Sequence, residues 1–595
     1  NPKNITKLYD KYDDATLGSI NYGGWLNGEN GTPTAITATG VVKLTNRSGV
    51  EILNYTSTDT LYVQVTDADR NLDQLIADTV SVWVMSQFET TAEKVILTET
   101  GMNTGVFRGS ILFDEVSGLA VTDGKLQVQR GNKLTGSYTD PKDDFGNVKT
   151  VTDIAYYGVS LATGVISVNT TWQKAKSPYL VTGDVTVNSG VTLTIEPGVQ
   201  VRFVPISDDT RSGDDINRSE LRIGGVLRAI GSATDTIVFT SNGEIPAAGD
   251  WYGIRVYGSG SKVIMKYSRV EYHVYGVRAS DYVSSTDTVQ IENSRFRFGG
   301  TALYQSYPNS GNNRTIVFNN NVIDGDGISW QNDGFSSAQV QGNIITNGQI
   351  YLYTGSNQSA SVMVKNNTLT GSNGITVNYA GGGEISGNVL RRTNSGIQLS
   401  YGNGSYTITN NTIDSTNYTS LNLYNIATAV IKYNTITNSQ QYSSNYYGIY
   451  VYRGNAVATV QITKNTISGN RSWGMYLNRT IGVIDSNTVT NNQYGGIYLL
   501  GDFNYPSLDS IRYNTITGNS NDGIQNNGYS KPIVNYNNIY NNTGYDYRDN
   551  TAASIYTELD AKYNWWGTAT TAAFNTGGNP KNITKLYDKY DDATL

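Results

Sequence analysis

Residues 465–500 read NTISGNRSWGMYLNRTIGVIDSNTVTNNQYGGIYLL, and two signatures recur inside this one stretch. Asn-x-apolar opens it at Asn465 and returns at Asn487, while Gly-apolar-x-apolar follows at Gly474/Met475/Leu477 and again at Gly496/Ile497/Leu499. Each apolar run is too short for a helix and alternates with the period of two that a strand requires. A repeat of 22 residues holding such runs between tight turns is therefore one coil of stacked parallel strands. Working outward, Asn-x-apolar occurs at Asn321, Asn343, Asn367, Asn388, Asn411, Asn434, Asn465, Asn487, Asn514, Asn537 and Asn564, with spacings of 21 to 31 residues. A coil of about 22 residues with occasional loop insertions is what a parallel β-helix needs.

The Asn of each signature is expected to do two things. It tolerates the left-handed backbone of a sharp bend, and its amide can bond to the Asn one coil away, so that the set stacks as a ladder. The Asn-x-Ser/Thr triplets, such as Asn410-Asn411-Thr412, then read as by-products of the ladder rather than glycosylation sites.

Further towards the N-terminus, YLVTGDVTVNSGVTLTIEPGVQVRF (Tyr179 to Phe203) places Val185, Val187, Val191, Leu193, Ile195, Val199, Val201 and Phe203 on one face. This stretch resembles the opening rungs of secreted right-handed β-helices of the pectate-lyase-like kind. At the other end AKYNWWGT (Ala561 to Thr568) is similar to the close of the copper-periplasm-type, NosD-like surface β-helices. The Trp565/Trp566 pair is expected to plug the end of the coil, which would otherwise expose its core and an unpaired edge.

Residues 27–165 show a different regime, with alternating runs such as Leu61/Val63/Val65 and Val80/Val82/Val84 between polar turns. About seven such strands indicate an immunoglobulin-like β-sandwich. The stretches VTDADRNLD (Val65 to Asp73), DTVSVWV (Asp78 to Val84) and VILTETGMNTGVFRGSI (Val95 to Ile111) resemble an immunoglobulin-like domain of bacterial and archaeal surface proteins. The expected fold is thus all-β, a sandwich followed by a right-handed single-stranded parallel β-helix over 166–578.

The words NPKNITKLYDKYDDATL stand at residues 1–17 and again, without a change, at 579–595. Self-identity at so long an offset is read as the mark of tandem units, with a simple duplication of one terminus as the other reading. Residues 1–26 read as the C-terminal cap of a preceding β-helix and 579–595 as a cap overlapping the next repeat.

The chain has 595 residues, a formal net charge of −7 and a pI near 5.0, with only 16% of residues charged. The absence of a basic cluster argues against nucleic acid and anionic-membrane partners, and no apolar run reaches the roughly 20 residues of a membrane span. No cysteine and one histidine exclude disulfides, thiolate sites and multi-histidine metal centres. The first residues do not look like a signal peptide, so the chain is expected to be a mature, soluble piece of an extracellular, secreted or cell-surface protein.

The strongest ligand-like cluster is Asp67, Asp69, Asn71 and Asp73, oxygen ligands at every second position, with Asp78 or Asp140 to complete a shell. Such a flexible, protein-derived oxygen set points to calcium. The other reading is a solvated acidic turn. A second acidic loop, SDDTRSGDDINRSE (Ser207 to Glu220), carries its own counter-charges Arg211 and Arg218, so self-pairing stands beside calcium there.

A glycosidase needs two facing carboxylates and a lyase a base beside calcium or cationic groups. Acids along the coils are scattered, and among them only Asp485 and Asp509 approach one-coil spacing. Arg391 and Arg392 have no acid in their own coil. The Tyr-rich run YSSNYYGIYVYR (Tyr442 to Arg453) is read as an outer-face ladder, with sugar stacking as the alternative. His273 is read as a satisfied structural histidine.

These readings combine into a non-enzymic structural repeat of an extracellular filament, sheath or surface array, assembled from copies of itself head to tail. The other class is a carbohydrate-binding adhesin, or a polysaccharide lyase or hydrolase, that meets polysaccharide or cell envelope through a β-helix groove.

Overall fold

The computed structural model describes residues 37–592 together with 16 and 29, apart from 74, 116–120, 280–287, 306–308, 332, 355–358, 441–445, 552–554, 556–557 and 579–580. The cap expected over residues 1–26 falls outside these, save for Thr16. Two compact units are present, Asn1–Leu161 with Ala175–Leu180, and Ala162–Lys174 with Val181–Leu595.

In the first unit the strands Val41–Thr45, Leu61–Thr66, Val106–Glu115, Glu93–Glu99, Thr79–Ser86, Lys133–Asp140, Lys149–Tyr157 and Asn54–Tyr55 lie side by side in that order. Lys125–Val128 pairs with Val106–Glu115 off this path and brings the sheet to nine strands. Alternation decides which face each strand buries. Leu61, Val63 and Val65 are fully buried, as are Val82, Val84, Leu97 and Phe107, and they share one core. The motif VILTETGMNTGVFRGSI is a fastened turn: Glu99 accepts backbone N–H bonds from Thr104 at 2.6 Å and Gly105 at 2.7 Å.

The second unit is a parallel β-solenoid of about fifteen coils. Fifteen strands form one parallel sheet, and a second path of 31 strands, two from most coils, bends around the corners. Equivalent residues stack in register. Ile413, Ile436, Ile467, Val489, Ile516 and Ile539 form one such row, each with no exposed surface. Each buried aliphatic side chain contributes about 1.5–3 kcal/mol relative to exposure, so the repeated row accounts for the stability of strands only three residues long.

The ladder forms as expected. Asn411 is typical: its Oδ1 accepts from the backbone N and the Nδ2 of Asn388, both at 2.9 Å, and its Nδ2 donates to Asn434 Oδ1 and to the Ile385 carbonyl, both at 2.9 Å. The same pattern runs through Asn343, Asn367, Asn465, Asn487 and Asn514. The bend, however, is not made by the ladder residue. The residue before it takes the left-handed conformation, at φ +54° for Asn366, +57° for Asn410 and Tyr513 and +60° for Tyr536 and Tyr563. The ladder Asn keeps ordinary backbone because its amide must point into the core.

A second ladder goes beyond the sequence-based expectation. Asn470 Nδ2 donates to Asn492 Oδ1 at 2.9 Å, Asn492 to Asn519 at 3.0 Å and Asn519 to Asn542 at 2.8 Å, and Asn542 ends on Asp546 Oδ1 at 3.0 Å. At the C-terminal end Trp566 is buried and Trp565 lies outside against Tyr540, with ring centroids 4.7 Å apart. The helix Gly567–Asn575 follows, and Leu586–Tyr587 then adds a last parallel strand to Tyr547–Asn550.

Candidate functional site

Among the described residues one group of carboxylates meets the geometry of a metal site. Asp67, Asp69 and Asp140 each offer an oxygen, and the three oxygens lie within 4.8 Å of one another. Asp67 ends the strand Leu61–Thr66 and caps the short turn Ala68–Arg70, its Oδ1 accepting the Asp69 N–H at 3.2 Å. Its Oδ2 accepts the Tyr138 hydroxyl at 2.6 Å. Asp140, at the end of Lys133–Asp140, accepts N–H bonds from Gly40 and Lys142, both at 2.8 Å. Gly40 must be glycine here, because a Cβ would stand 2.7 Å from the Tyr138 ring and 3.0 Å from Asp67 Oδ2.

Asp67 and Asp140 are buried, at 1% and 0% exposure. Burial, the hydrogen bond with Asp67 and the charges of Asp67 and Asp140 push the Asp69 carboxyl up to about 7. Asp69 Oδ2 and Asn71 Oδ1 are buried and meet no hydrogen-bond donor. Carboxylates with unmet lone pairs, in a set without nitrogen or sulfur, fit a hard divalent cation.

Asp73 and Asp78 of the expected shell are engaged elsewhere, and Asn71 is engaged through its amide nitrogen alone. Asp78 Oδ2 accepts N–H bonds from Leu72 at 2.6 Å and Asp73 at 2.9 Å, Asp73 Oδ1 accepts from Leu75 at 2.9 Å, and Asn71 Nδ2 bonds Asn103 Oδ1. The capped turn at 68–70 breaks the every-second-residue alternation that the sequence suggests.

The acidic loop before Glu220 is pinned down by its own neighbours. Arg218 pairs with Asp215 at 2.8 Å, while Asp214 bridges Arg255 at 2.7 Å and Arg278 at 2.5 Å from the coils. Glu220, pushed up to about 7 by burial, accepts the Asp214 N–H. Asp485 and Asp509 do not face one another. Asp485 is opposite Arg512, whose Nε it accepts at 2.8 Å, whereas Asp509 is opposite Gly482, three residues along the strand. Asp509 points into the core and Asp485 does not. Arg391 finds its acid one coil on, in register with Asp414.

His273 is buried, its ring edge-on to Trp251 and Phe296, and neither ring nitrogen meets a partner. It is structural but unsatisfied, and burial lowers its pKa to about 3. Within the Tyr-rich run, 442–445 lie outside the described residues. Tyr450, Tyr476 and Tyr498 stand in register on the outer side of successive coils, with ring centroids 5.5 and 4.7 Å apart.

Three protein-family models match overlapping stretches of the solenoid: a pectate-lyase like beta helix domain over residues 164–302, a periplasmic copper-binding protein (NosD) over 283–482 and a right handed beta helix region over 447–564. Among the described residues no cysteine–histidine group answers to the copper of the second description. The chain has no cysteine, and its single imidazole is enclosed by aromatic rings. Protein bark beetle of Drosophila melanogaster is 30% identical over 131 residues, which is 22% of this chain and 4% of that protein. The catalytic domain of a GH87 alpha-1,3-glucanase in complex with nigerose covers 86% of this chain and 92% of its own at 12% identity and a TM-score of 0.24, too low to carry any argument. Over residues 164–564 the chain is a right-handed parallel β-helix.

Proposed function

We propose that the chain is a structural unit of an extracellular filament, sheath or cell-surface array, repeated head to tail, and that it is not an enzyme. One observation carries this reading, the unchanged recurrence of residues 1–17 at 579–595. The second copy supports it further by its place on the solenoid. Leu586–Tyr587 adds a strand to the last coil, and Lys585 Nζ donates to the carbonyls of Asn542 at 2.8 Å and Gly544 at 2.8 Å. The repeated words are thus solenoid-end words, and their first occurrence serves the end of a preceding unit. A heterologous joint of this kind gives an open filament unless its rotation closes a ring. Intact-mass measurement of the native polypeptide tests this: an array far exceeds 64.8 kDa in steps of one period, and a native mass holding a single period would overturn it.

Calcium at Asp67, Asp69 and Asp140 is part of the same proposal, as an ion that stiffens the first unit in an extracellular medium. No helix among the described residues is long and apolar enough to cross a membrane. A second reading, an adhesin that binds polysaccharide, is favoured by the Tyr450–Tyr476–Tyr498 row, which continues in register into Asn422 on one side and Gln525 on the other. Aromatic rings beside amides suit a neutral sugar chain laid along the coils. Retention on polysaccharide columns, lost in Tyr476→Ala, tests it.

A further inference from the structure

The strands Tyr179–Val187 and Glu220–Ile223 pair in parallel, Val185 against Leu221 and Val187 against Ile223. Val185 and Leu221 are buried in the solenoid core, so by alternation their predecessors Asp184 and Glu220 stand side by side on the outer face. An outer carboxylate is ordinarily wet. These two are 1% and 0% exposed, because the loop 207–219 is folded over them. Ser212 Oγ donates to Asp184 Oδ2 at 2.6 Å, the Asp214 N–H donates to Glu220 Oε1 at 2.5 Å, and the Asp184 N–H donates to Asp208 Oδ1 at 3.1 Å. Gly213 crosses directly above the pair at φ +77°, where a Cβ would overlap Glu220 Oε1 and stand 2.6 Å from Asp184 Oδ2. Glu220 Oε2 is buried and meets no hydrogen-bond partner.

The charges around the pair do not balance. Asp208 and Asp214 of the loop add two acids to Asp184 and Glu220. Against these stand Arg222, whose Nε lies 4.0 Å from Glu220 Oε1, and Arg255 and Arg278 from the next two coils, both pairing with Asp214. Asp215 and Arg218 pair with one another. One carboxylate of the four is left without a counter-charge. Among the described residues Asp184 and Glu220 belong to no group of three carboxylates close enough to hold a metal, whereas a single proton removes both the excess charge and the repulsion within the pair. Burial pushes Glu220 up to about 7, helped by the charges of Asp184 and Asp214, and burial raises Asp184 as well.

We propose that Asp184 and Glu220 form a proton-operated latch on the loop 207–219, shut in acid and loosened towards neutral pH. The loop is what keeps water from the pair, so its opening is the smallest motion that hydrates two buried charges. The latch is independent of the filament reading and of the Asp67 cluster. With the latch shut Glu220 holds its proton to about 7, whereas an uncovered glutamate holds one only to about 4.3. The shut form therefore keeps its full advantage below about pH 4, loses it about tenfold per pH unit as pH rises, and levels off above about pH 7.

Hydrogen exchange on the full chain, corrected for the intrinsic rate at each pH, tests this. Between pH 5.0 and 7.5 protection of the 207–219 amides should fall at least tenfold, while the ladder amides of Asn411 and Asn434 keep theirs. Glu220→Gln retains an acceptor for the Asp214 N–H without a charge, so its loop should be equally protected at both pH values. Equal loop protection at the two pH values in the wild type, or a Glu220→Gln loop with the wild-type slope, overturns the proposal. Calcium that restores protection at pH 7.5 also overturns it, because a cation and not a proton would then shut the loop. Should Glu220→Gln not fold, Asp184→Asn decides in its place: removal of the repelling charge should flatten the slope, and an unchanged slope overturns the latch.

Discussion

The two units bury polar groups in opposite ways. Along the solenoid corner Asn411 and its equivalents are wholly enclosed, yet each amide oxygen and both amide hydrogens find partners in adjacent coils. In the first unit Asp67, Asp69 and Asp140 are also drawn from water, and an oxygen of Asp69 finds none. The difference is one of valence. An amide carries donor and acceptor and can stack on copies of itself without limit, whereas an ionised carboxylate only accepts and needs a proton or a cation before a second can approach. A ladder is complete as the chain folds it, and a carboxylate cluster waits for something else.

Breaking the ladder is expected to have the largest effect. Asn411→Leu removes the acceptor of two Asn388 donors and the donor of two acceptors, and unmet buried groups cost about 1–3 kcal/mol each, so a loss of about 4 kcal/mol is expected in denaturant unfolding. Asn411→Asp sharpens the point. At neutral pH it should be as damaging, and acidification should restore part of the loss, because a protonated carboxyl regains the donor that Asn434 Oδ1 needs. Equal stability at pH 4.5 and 7.5 would dismiss the valence argument.

The cluster should respond to what the ladder ignores. Calcium at a hundred times its Kd should stabilise the first unit by about 2.7 kcal/mol, and chelation should remove the gain. Asp67→Asn should abolish the response, and a melting curve indifferent to calcium would remove the ion from the account. In metal-free protein the pH dependence has a definite sign. Asp69 holds its proton to about 7 in the folded state but only to about 3.9 when unfolded, so metal-free stability should be full below about pH 4 and decline as pH rises towards 7. Saturating calcium should flatten or reverse that slope, and melts of the two forms across pH 4–8 would tell.

The smallest effect is expected on the outer corner. Tyr536 adopts φ +60° between Tyr513 and Tyr563, with stacked centroids at 5.6 and 5.2 Å. Tyr536→Asn exchanges a ring stack for easier left-handed backbone, and the two terms should cancel to within about 1 kcal/mol.

The solenoid is legible in the sequence because its hydrogen bonds repeat with its residues. Asn321 to Asn564 can be counted along the chain by their spacing alone, and the ladder lies where the count puts it. The second ladder has the same kind of signal. Asn470, Asn492, Asn519 and Asn542 each follow a first-ladder Asn by five residues, but they hide in varied words such as SGNR and TNNQ. The bend falls to the other residue of the pair than spacing suggests. Asn is itself a good left-handed residue, and only the tertiary bond reveals that it is needed elsewhere.

The acidic cluster is half legible. Asp67 and Asp69 are local, but Asp140 comes from a distant strand, and Asp73 and Asp78 are taken up by backbone N–H groups of their own turn in a way no spacing rule anticipates. Asp509 is visible in the sequence as an acid among coils. Its inward aim follows from register, which the inserted loop at 502–507 conceals.

The first ladder also gives the solenoid an electrical direction. From Asn321 to Asn537 each side-chain amide of the ladder turns its oxygen towards the coil before and one N–H towards the coil after. Aligned amide dipoles add, as they do along an α-helix, while the alternating strands of an antiparallel sheet largely cancel. Two solenoids placed tail to tail would set like poles together, and two placed in sequence would set unlike poles together. The interior asparagines therefore lend polarity to any stacking of such units through uncharged groups.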